Sequence, residues 1–328
     1  MTNSWCFGSH LDDEDFLNCI HLLAEMLLTS AIRVRLRSCP SPWSQSAVAV
    51  LSCRKRLWSG SSDRSHHTGN MNVITERHGT IFTIGINRPE ARNAVNPETA
   101  SLLVKAFDEF EKDPSLTAAV LHGLGGNFCA GFDLKEVANN AGSLKMELDV
   151  TRGPGPMGPS RMQFSKPVIA AVSGYCVAGG LELSLLADLR VVEKSATFGV
   201  FCRRFGVPLI DGGTVRLPQL IGLSRALDLI LTGRPVNAQE AYAFGLANRV
   251  VPDGQSLQSA IELAELISSF PQKCMRSDRA SAYYSTFDAT SFMDAMQFEF
   301  NHGTEVVAEE SIAGASRFAA GEGRKGKL

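Results

Sequence analysis

Hydrophobic and polar positions along the chain divide it into short strands and amphipathic helices. Residues 80–86 alternate with a period of two, which predicts a strand with one face buried. Unbroken apolar runs at 118–121 and 168–172 predict buried strands. Between the first two, Leu102, Leu103, Ala106, Phe107 and Phe110 share one face of a helix. Asn96 suits its N-cap, Pro97 the first helical position and Glu98 the first turn, and Asp113 with Pro114 stops it. After residue 172, Leu181, Leu185, Leu186 and Leu189 fall at helical spacing. The core pattern continues through Val191, Val192 and residues 196–199. A short helix over 224–231 is closed by Gly233, and a second, capped by Asn237, is ended by Gly245. Residues 255–318 read as mainly helical from the spacing of Ile261, Leu263, Ala264, Leu266 and Ile267. Recurring strand–loop–helix units predict an α/β fold with parallel strands and crossover helices.

The 328 residues give ample length for a real core. A formal charge of −2 exerts no general pull towards nucleic acid or an anionic membrane. The eight cysteines include no C-x-x-C and no ligand-like spacing with histidine, so neither zinc nor a redox pair is indicated. No apolar run approaches the roughly 20 residues of a membrane helix. Residues 1–70 differ from the rest and are expected to form an N-terminal targeting or disordered segment. From residue 26 to 62 there is no Asp or Glu, while Arg33, Arg35, Arg37, Arg54, Lys55 and Arg56 are basic. That Arg- and Ser-rich composition predicts a mitochondrial transit peptide and a matrix location, with a cytoplasmic protein carrying a basic tail as the alternative. The acidic cluster at 12–15 does not belong in such a peptide, which fits translation starting at Met26. Residues 71–255 would be the catalytic core and 256–328 a C-terminal helical region.

The chemistry concentrates in three Gly-rich turns. In residues 173–189, an apolar strand leads to Gly179 and Gly180, where a ligand can approach the backbone, with Glu182 in the following helical turn. Unpaired N–H groups there would hold a developing negative charge next to a carboxylate, as a carbonyl-activating site requires. Residues 123–135 form a second such loop, and Asp211 precedes Gly212 and Gly213 in a third. The Gly- and Pro-rich stretch 153–159 cannot continue a helix or a central strand; a lid and a plain surface loop both fit it.

Residues 128–135 and 174–183 together resemble the crotonase family, the enoyl-CoA hydratase/isomerase superfamily, and residues 88–95 and 208–217 fit it in order and spacing. The resemblance runs from about residue 72 to the end of the chain. It implies a crotonase-like spiral of ββα units, a C-terminal helical trimerisation region, and assembly as a homotrimer or dimer of trimers. It also implies an acyl-CoA thioester substrate and no metal or redox cofactor, coenzyme A being part of the substrate. The backbone N–H groups of Phe132 and Gly179 would form the oxyanion hole. Arg92, Ala94, Val95, Ala130, Phe132, Asp133, Leu134, Lys135 and Gly179 would bind substrate and CoA, with Arg92 and Lys135 suited to phosphates. Asp133 and Asp188 also read as structural, the first as a turn residue and the second as a loop-side partner.

The best-described hydratases of the family use two glutamates. Glu182 matches the first, and the second position falls on Cys202, a poor substitute for a carboxylic acid. The nearest carboxylate is Asp211, at a place where the dienoyl-CoA isomerase branch carries a catalytic aspartate. Glu182 is therefore expected as the principal acid or base with Asp211 as its partner, and Cys202 as a small packing residue. The leading expectation is a hydratase of 2-enoyl-CoA thioesters in fatty acyl-CoA metabolism; a double-bond isomerase using Glu182, Asp211 or both is the alternative. A non-catalytic or RNA-binding homologue is the reading from a different class. Residues 97–112 carry Lys105 and Lys112 against Glu98, Asp108, Glu109 and Glu111, which disfavours RNA.

Overall fold

The computed structural model describes residues 72–139 and 147–322. The segment 1–70, with its basic stretch, lies outside the described residues. The chain opens with β1 (Val73–His78) and β2 (Ile81–Ile86), which pair antiparallel. The first long helix, α1 (Pro97–Lys112), is capped as expected, Asn96 accepting from Thr99 N–H at 2.9 Å. Its C-terminal end is closed by buried Lys166, whose Nζ donates to the carbonyls of Phe110 and Asp113. Strand β3 (Ala118–Gly123) and a short α2 (Leu134–Asn139) follow, then β4 (Val168–Val172), all of whose residues are buried.

From here strands enter two sheets in turn. Strand β4 lies in the first sheet and β5 (Tyr175–Val177) in the second, followed by helix α3 (Gly179–Ser184). Strand β6 (Leu189–Glu193) returns to the first and β7 (Thr197–Gly199) to the second, followed by α4 (Gly213–Ile221) and α5 (Leu223–Thr232). This is the ββα spiral expected from the sequence. Strand β8 (Val236–Asn237), helix α6 (Ala238–Phe244) and strand β9 (Arg249–Val251) complete it. The six-stranded sheet runs β1-β2-β3-β4-β6-β9, parallel except for β1, and the three-stranded sheet runs β5-β7-β8. Four helices end the described chain: α7 (Ser256–Ser268), α8 (Gln272–Phe287), α9 (Phe292–Val306) and α10 (Ile312–Ala319).

Both faces of the large sheet are covered. Leu103, Phe107 and Phe110 of α1 pack with Phe82, Ile84 and Leu121 on one side. On the other, Ala260, Ile261, Leu263 and Ala264 of α7 meet Ile81, Val120, Ile169 and Val191. Strand β2, expected to bury one face, therefore buries all six residues. The helix expected through Leu189 is also shorter: α3 stops at Ser184, and Leu189 opens β6, pairing with Ile169. Arg190 explains the stop. Its guanidinium is buried and donates to the carbonyls of Ser184 (3.2 Å) and Ala187 (2.7 Å), acceptors that a longer helix would use itself, and to Leu246 O (2.6 Å).

Candidate active site

Two backbone loops meet below the start of α3. Cys129 N–H donates to Tyr175 O, and Val177 N–H donates back to Cys129 O, so residues 129–132 run beside 175–180. Their approach is too close for side chains. A Cβ on Gly180 would lie 2.1 Å from Cys129 O, and one on Gly131, whose φ is +101°, would lie 2.9 Å from Gly179 N. On its far side the first loop is held by Val95, which donates to Gly131 O (2.8 Å) and accepts from Asp133 N–H (2.9 Å). The N–H between those two bonds, that of Phe132, is left over. Ala178, at φ +54° and ψ −128°, sets the peptide that carries Gly179 N–H, in a region that costs a non-glycine residue on the order of 1–3 kcal/mol. Among the described residues, neither Phe132 N–H nor Gly179 N–H has an acceptor. Both residues line one cavity of about 770 Å³.

Glu182 lines the same cavity and is 2 % exposed. Its Oε1 accepts from the backbone N–H groups of Asp211 (2.9 Å) and Gly213 (2.8 Å), and its Oε2 has no protein partner among the described residues. Gly213 is dictated by this contact, since a Cβ there would lie 2.9 Å from Glu182 Oε1. Burial pushes the Glu182 carboxyl up to about 7, reinforced by the charge of Asp211 and opposed by the two N–H bonds and Arg216. That value suits a group that both takes and gives a proton near neutral pH. Asp211 is also buried, and burial raises its carboxyl too, against the bonds from Ser160 and Met157. Cys202 lines the cavity as an undissociated thiol, pushed up by burial and by the Glu182 charge. The remaining wall is largely apolar, with Ala100 and Val104 of α1, Met157, Phe201 and Ile210. Two free N–H donors, a proton-carrying carboxylate and an apolar chamber can together activate a carbonyl compound whose tail is hydrophobic.

Of the residues expected at the site, Ala130, Phe132, Leu134, Gly179, Glu182, Cys202 and Asp211 line the cavity. Ala94 and Val95 are buried in the loop behind it. Arg92 lies with its guanidinium carbon 5.4 Å from the Tyr175 ring centre, and Lys135 is exposed. The carboxylate of Asp133 is paired with Arg88 at 3.0 Å and accepts from Lys135 N–H, which makes it a fastener of the loop. Asp188 binds Val168 N–H with one oxygen and Arg279 and Tyr283 of α8 with the other. Sequence reasoning missed Met157, Ser160 and Arg216, which surround Asp211; contacts that join residues 155–160 to 211–216 leave no periodic signal. Among the described residues, no group of three or more His, Cys, Asp or Glu is placed to hold a metal ion.

A parallel sheet wound in ββα units, with a buried glutamate beside a Gly-Gly helix start, defines the crotonase class. Residues 76–319 match the enoyl-CoA hydratase/isomerase family, and the protein is an enzyme of that family. It is 41 % identical over 204 residues to enoyl-CoA hydratase EchA19 of Mycobacterium tuberculosis, covering 60 % of this chain and 74 % of that one. It is 36 % identical over 208 residues to a mevalonyl-coenzyme A hydratase of Aspergillus fumigatus, covering 63 % and 76 %. Among solved structures, the enoyl-CoA hydratase EchA1 of Mycobacterium marinum superposes with a TM-score of 0.70 at 34 % identity, over 76 % of this chain and 96 % of that one.

Proposed function

We propose that the enzyme hydrates 2-enoyl-CoA thioesters in fatty acyl-CoA metabolism. The observation that carries this reading is the placement of Glu182, buried with one oxygen pinned and the other free, in the same cavity as two unpartnered backbone N–H groups. In this reading the thioester oxygen accepts from Phe132 and Gly179 N–H. Water adds at C3, the C2–C3 π electrons move onto the thioester as an enolate, and a proton returns to C2. The two donors stabilise the enolate oxygen, each contributing on the order of 10²- to 10³-fold in rate. Glu182 Oε2 takes the proton from water and supplies one to C2, and Asp211 stands beside it as partner. No metal or redox cofactor enters this chemistry, and Arg92 and Lys135 are assigned to the CoA phosphates.

Cys202 favours a second reading. Where a second carboxylate would hold the attacking water there is an undissociated thiol, and a single carboxylate suffices to carry a proton between carbons in double-bond isomerisation. We assign the assembly as a homotrimer or dimer of trimers, supported by exposed Leu223, Leu227 and Leu231 on α5 and Phe292, Met293 and Phe300 on α9. The composition of residues 26–62 is the support for a mitochondrial matrix location. Crotonyl-CoA and a 3-enoyl-CoA, incubated in parallel with product identification by mass spectrometry, test the function. A 3-hydroxyacyl-CoA from the first is the expected product; a 2-enoyl-CoA from the second alone favours the isomerase, and no product from either overturns both. Glu182→Gln should abolish turnover while acyl-CoA binding persists.

A further inference from the structure

Residues 154–157 form one wall of the cavity, and the segment that continues from them to Ser160 is fastened to the loop that holds Glu182. Asp211 Oδ1 accepts from Met157 N–H at 3.0 Å and from the Ser160 hydroxyl. The guanidinium of Arg216, in the first turn of α4, spans the same junction, with Nη1 donating to Asp211 O (3.1 Å) and Nη2 to Ser160 O (2.8 Å). Asp211 N–H in turn donates to Glu182 Oε1. Three hydrogen-bonded links thus run from this segment to Asp211, and the Asp211 N–H bond continues to the proton-carrying group. The junction is tight: a Cβ on Gly155 would lie 2.0 Å from Ser160 Oγ, and one on Gly212 would lie 2.3 Å from Arg216 Nη1. Met157, fully buried, lays its thioether against Gly179, where an added Cβ would meet Sδ at 2.7 Å. The segment therefore touches the donor side of the site through Met157 and the acid–base side through Ser160. Ser160 is itself 2 % exposed and does not line the cavity.

We propose that Ser160 is a positioning residue of this site: its hydroxyl fixes the orientation of the Asp211 carboxylate and locks the cavity wall to the loop that pins Glu182. The consequence for turnover rests on the acyl-CoA reading above, whereas the consequence for Asp211 does not. A hydroxyl donor favours the ionised form of the carboxylate it binds. The charged groups acting on the pair are Arg161 and Arg216 around Asp211, and Asp211 and Arg216 around Glu182, with the Cys202 thiol nearby. Removing the hydroxyl leaves all of these in place and withdraws one donor from Asp211 alone, so its carboxyl holds its proton to higher pH.

The test is a carbon-13 NMR titration of the side-chain carboxylates in the full chain. It compares wild type with Ser160→Ala and assigns the two resonances by Asp211→Asn and Glu182→Gln. Asp211→Asn preserves an acceptor for both Met157 N–H and Ser160, and so reports on the charge with the junction intact. The expected result is an Asp211 midpoint raised in Ser160→Ala, with turnover reduced about tenfold, the worth of one hydrogen bond, and acyl-CoA binding within threefold of wild type. In an Asp211→Ala background, which has no side-chain acceptor left for Ser160, the same serine change lowers the residual turnover less than threefold, because the two residues act as one unit. An Asp211 midpoint unmoved by Ser160→Ala, or losses that multiply in the double variant, overturns the proposal. Absence of turnover in the wild type overturns the acyl-CoA reading instead and leaves the titration to decide Ser160.

Discussion

Glu182→Gln separates the stability of the fold from the chemistry of the site, and pH is the variable that exposes it. The glutamine amide keeps an oxygen for the N–H groups of Asp211 and Gly213, so the loop stays pinned. In the wild type the carboxyl keeps its proton up to about 7 when folded, against an ordinary 4.5. Between those values the folded chain binds more protons than the unfolded one, so stability falls as the pH rises from 4.5 to 7 and then levels. The difference amounts to about 3 kcal/mol. At pH 8 Glu182→Gln should therefore be more stable than wild type by about 3 kcal/mol, or about 4–6 °C in Tm for a chain of this size. At pH 4.5 the two should melt together. Thermal unfolding followed by circular dichroism at both pH values measures this, alongside turnover, which the variant should lack. A Tm difference that is the same at pH 4.5 and 8 refutes the account of a carboxylate buried against its own ionisation.

Three further outcomes are expected. Gly131→Ala places a Cβ against Gly179 N at a backbone angle that disfavours side chains; kcat should drop at least about 100-fold while Kd for acyl-CoA changes little, as steady-state kinetics and calorimetry would show. Cys202→Glu supplies the missing carboxylate and should raise hydration relative to isomerisation; an unchanged product ratio places residue 202 outside the chemistry. Arg190→Met strands the carbonyls of Ser184, Ala187 and Leu246 in the core and should destabilise the chain by about 3–5 kcal/mol in urea unfolding; a loss below about 1 kcal/mol would show that water reaches them.

The central strands were legible because β3 and β4 are buried on both faces and carry continuous apolar runs. Helices α1 and α6 were legible through Asn96 and Asn237, whose side chains accept from Thr99 and Glu240 N–H. Strand β1 was not, because it is an edge strand with Thr75, Glu76 and Arg77 exposed and no buried alternation to read. The second sheet was hidden by length, since strands of two or three residues have no period. Helix α4 was read as a turn because Gly212 and Gly213 open it and Pro218 lies inside it. In the site, Glu182 and the glycines announce themselves by local pattern. Ser160 and Arg216 do not, because their meaning comes from contacts some 50 residues apart that only the folded chain creates.

The two unpartnered N–H groups belong to the main chain, and the segments that lead to them are bonded to one another directly, through Cys129, Tyr175 and Val177. Their spacing is thus set first by main-chain bonds, with the Asp133–Arg88 pair fastening one of the two loops. Residues such as Leu134, Phe201, Phe205 and Ile210, which clothe the chamber, are free to be exchanged without moving the donors. A redesign of the chamber can begin at those four positions and leave the two donors where they are. The glycines at 131 and 180 are the fixed points such an effort would have to respect.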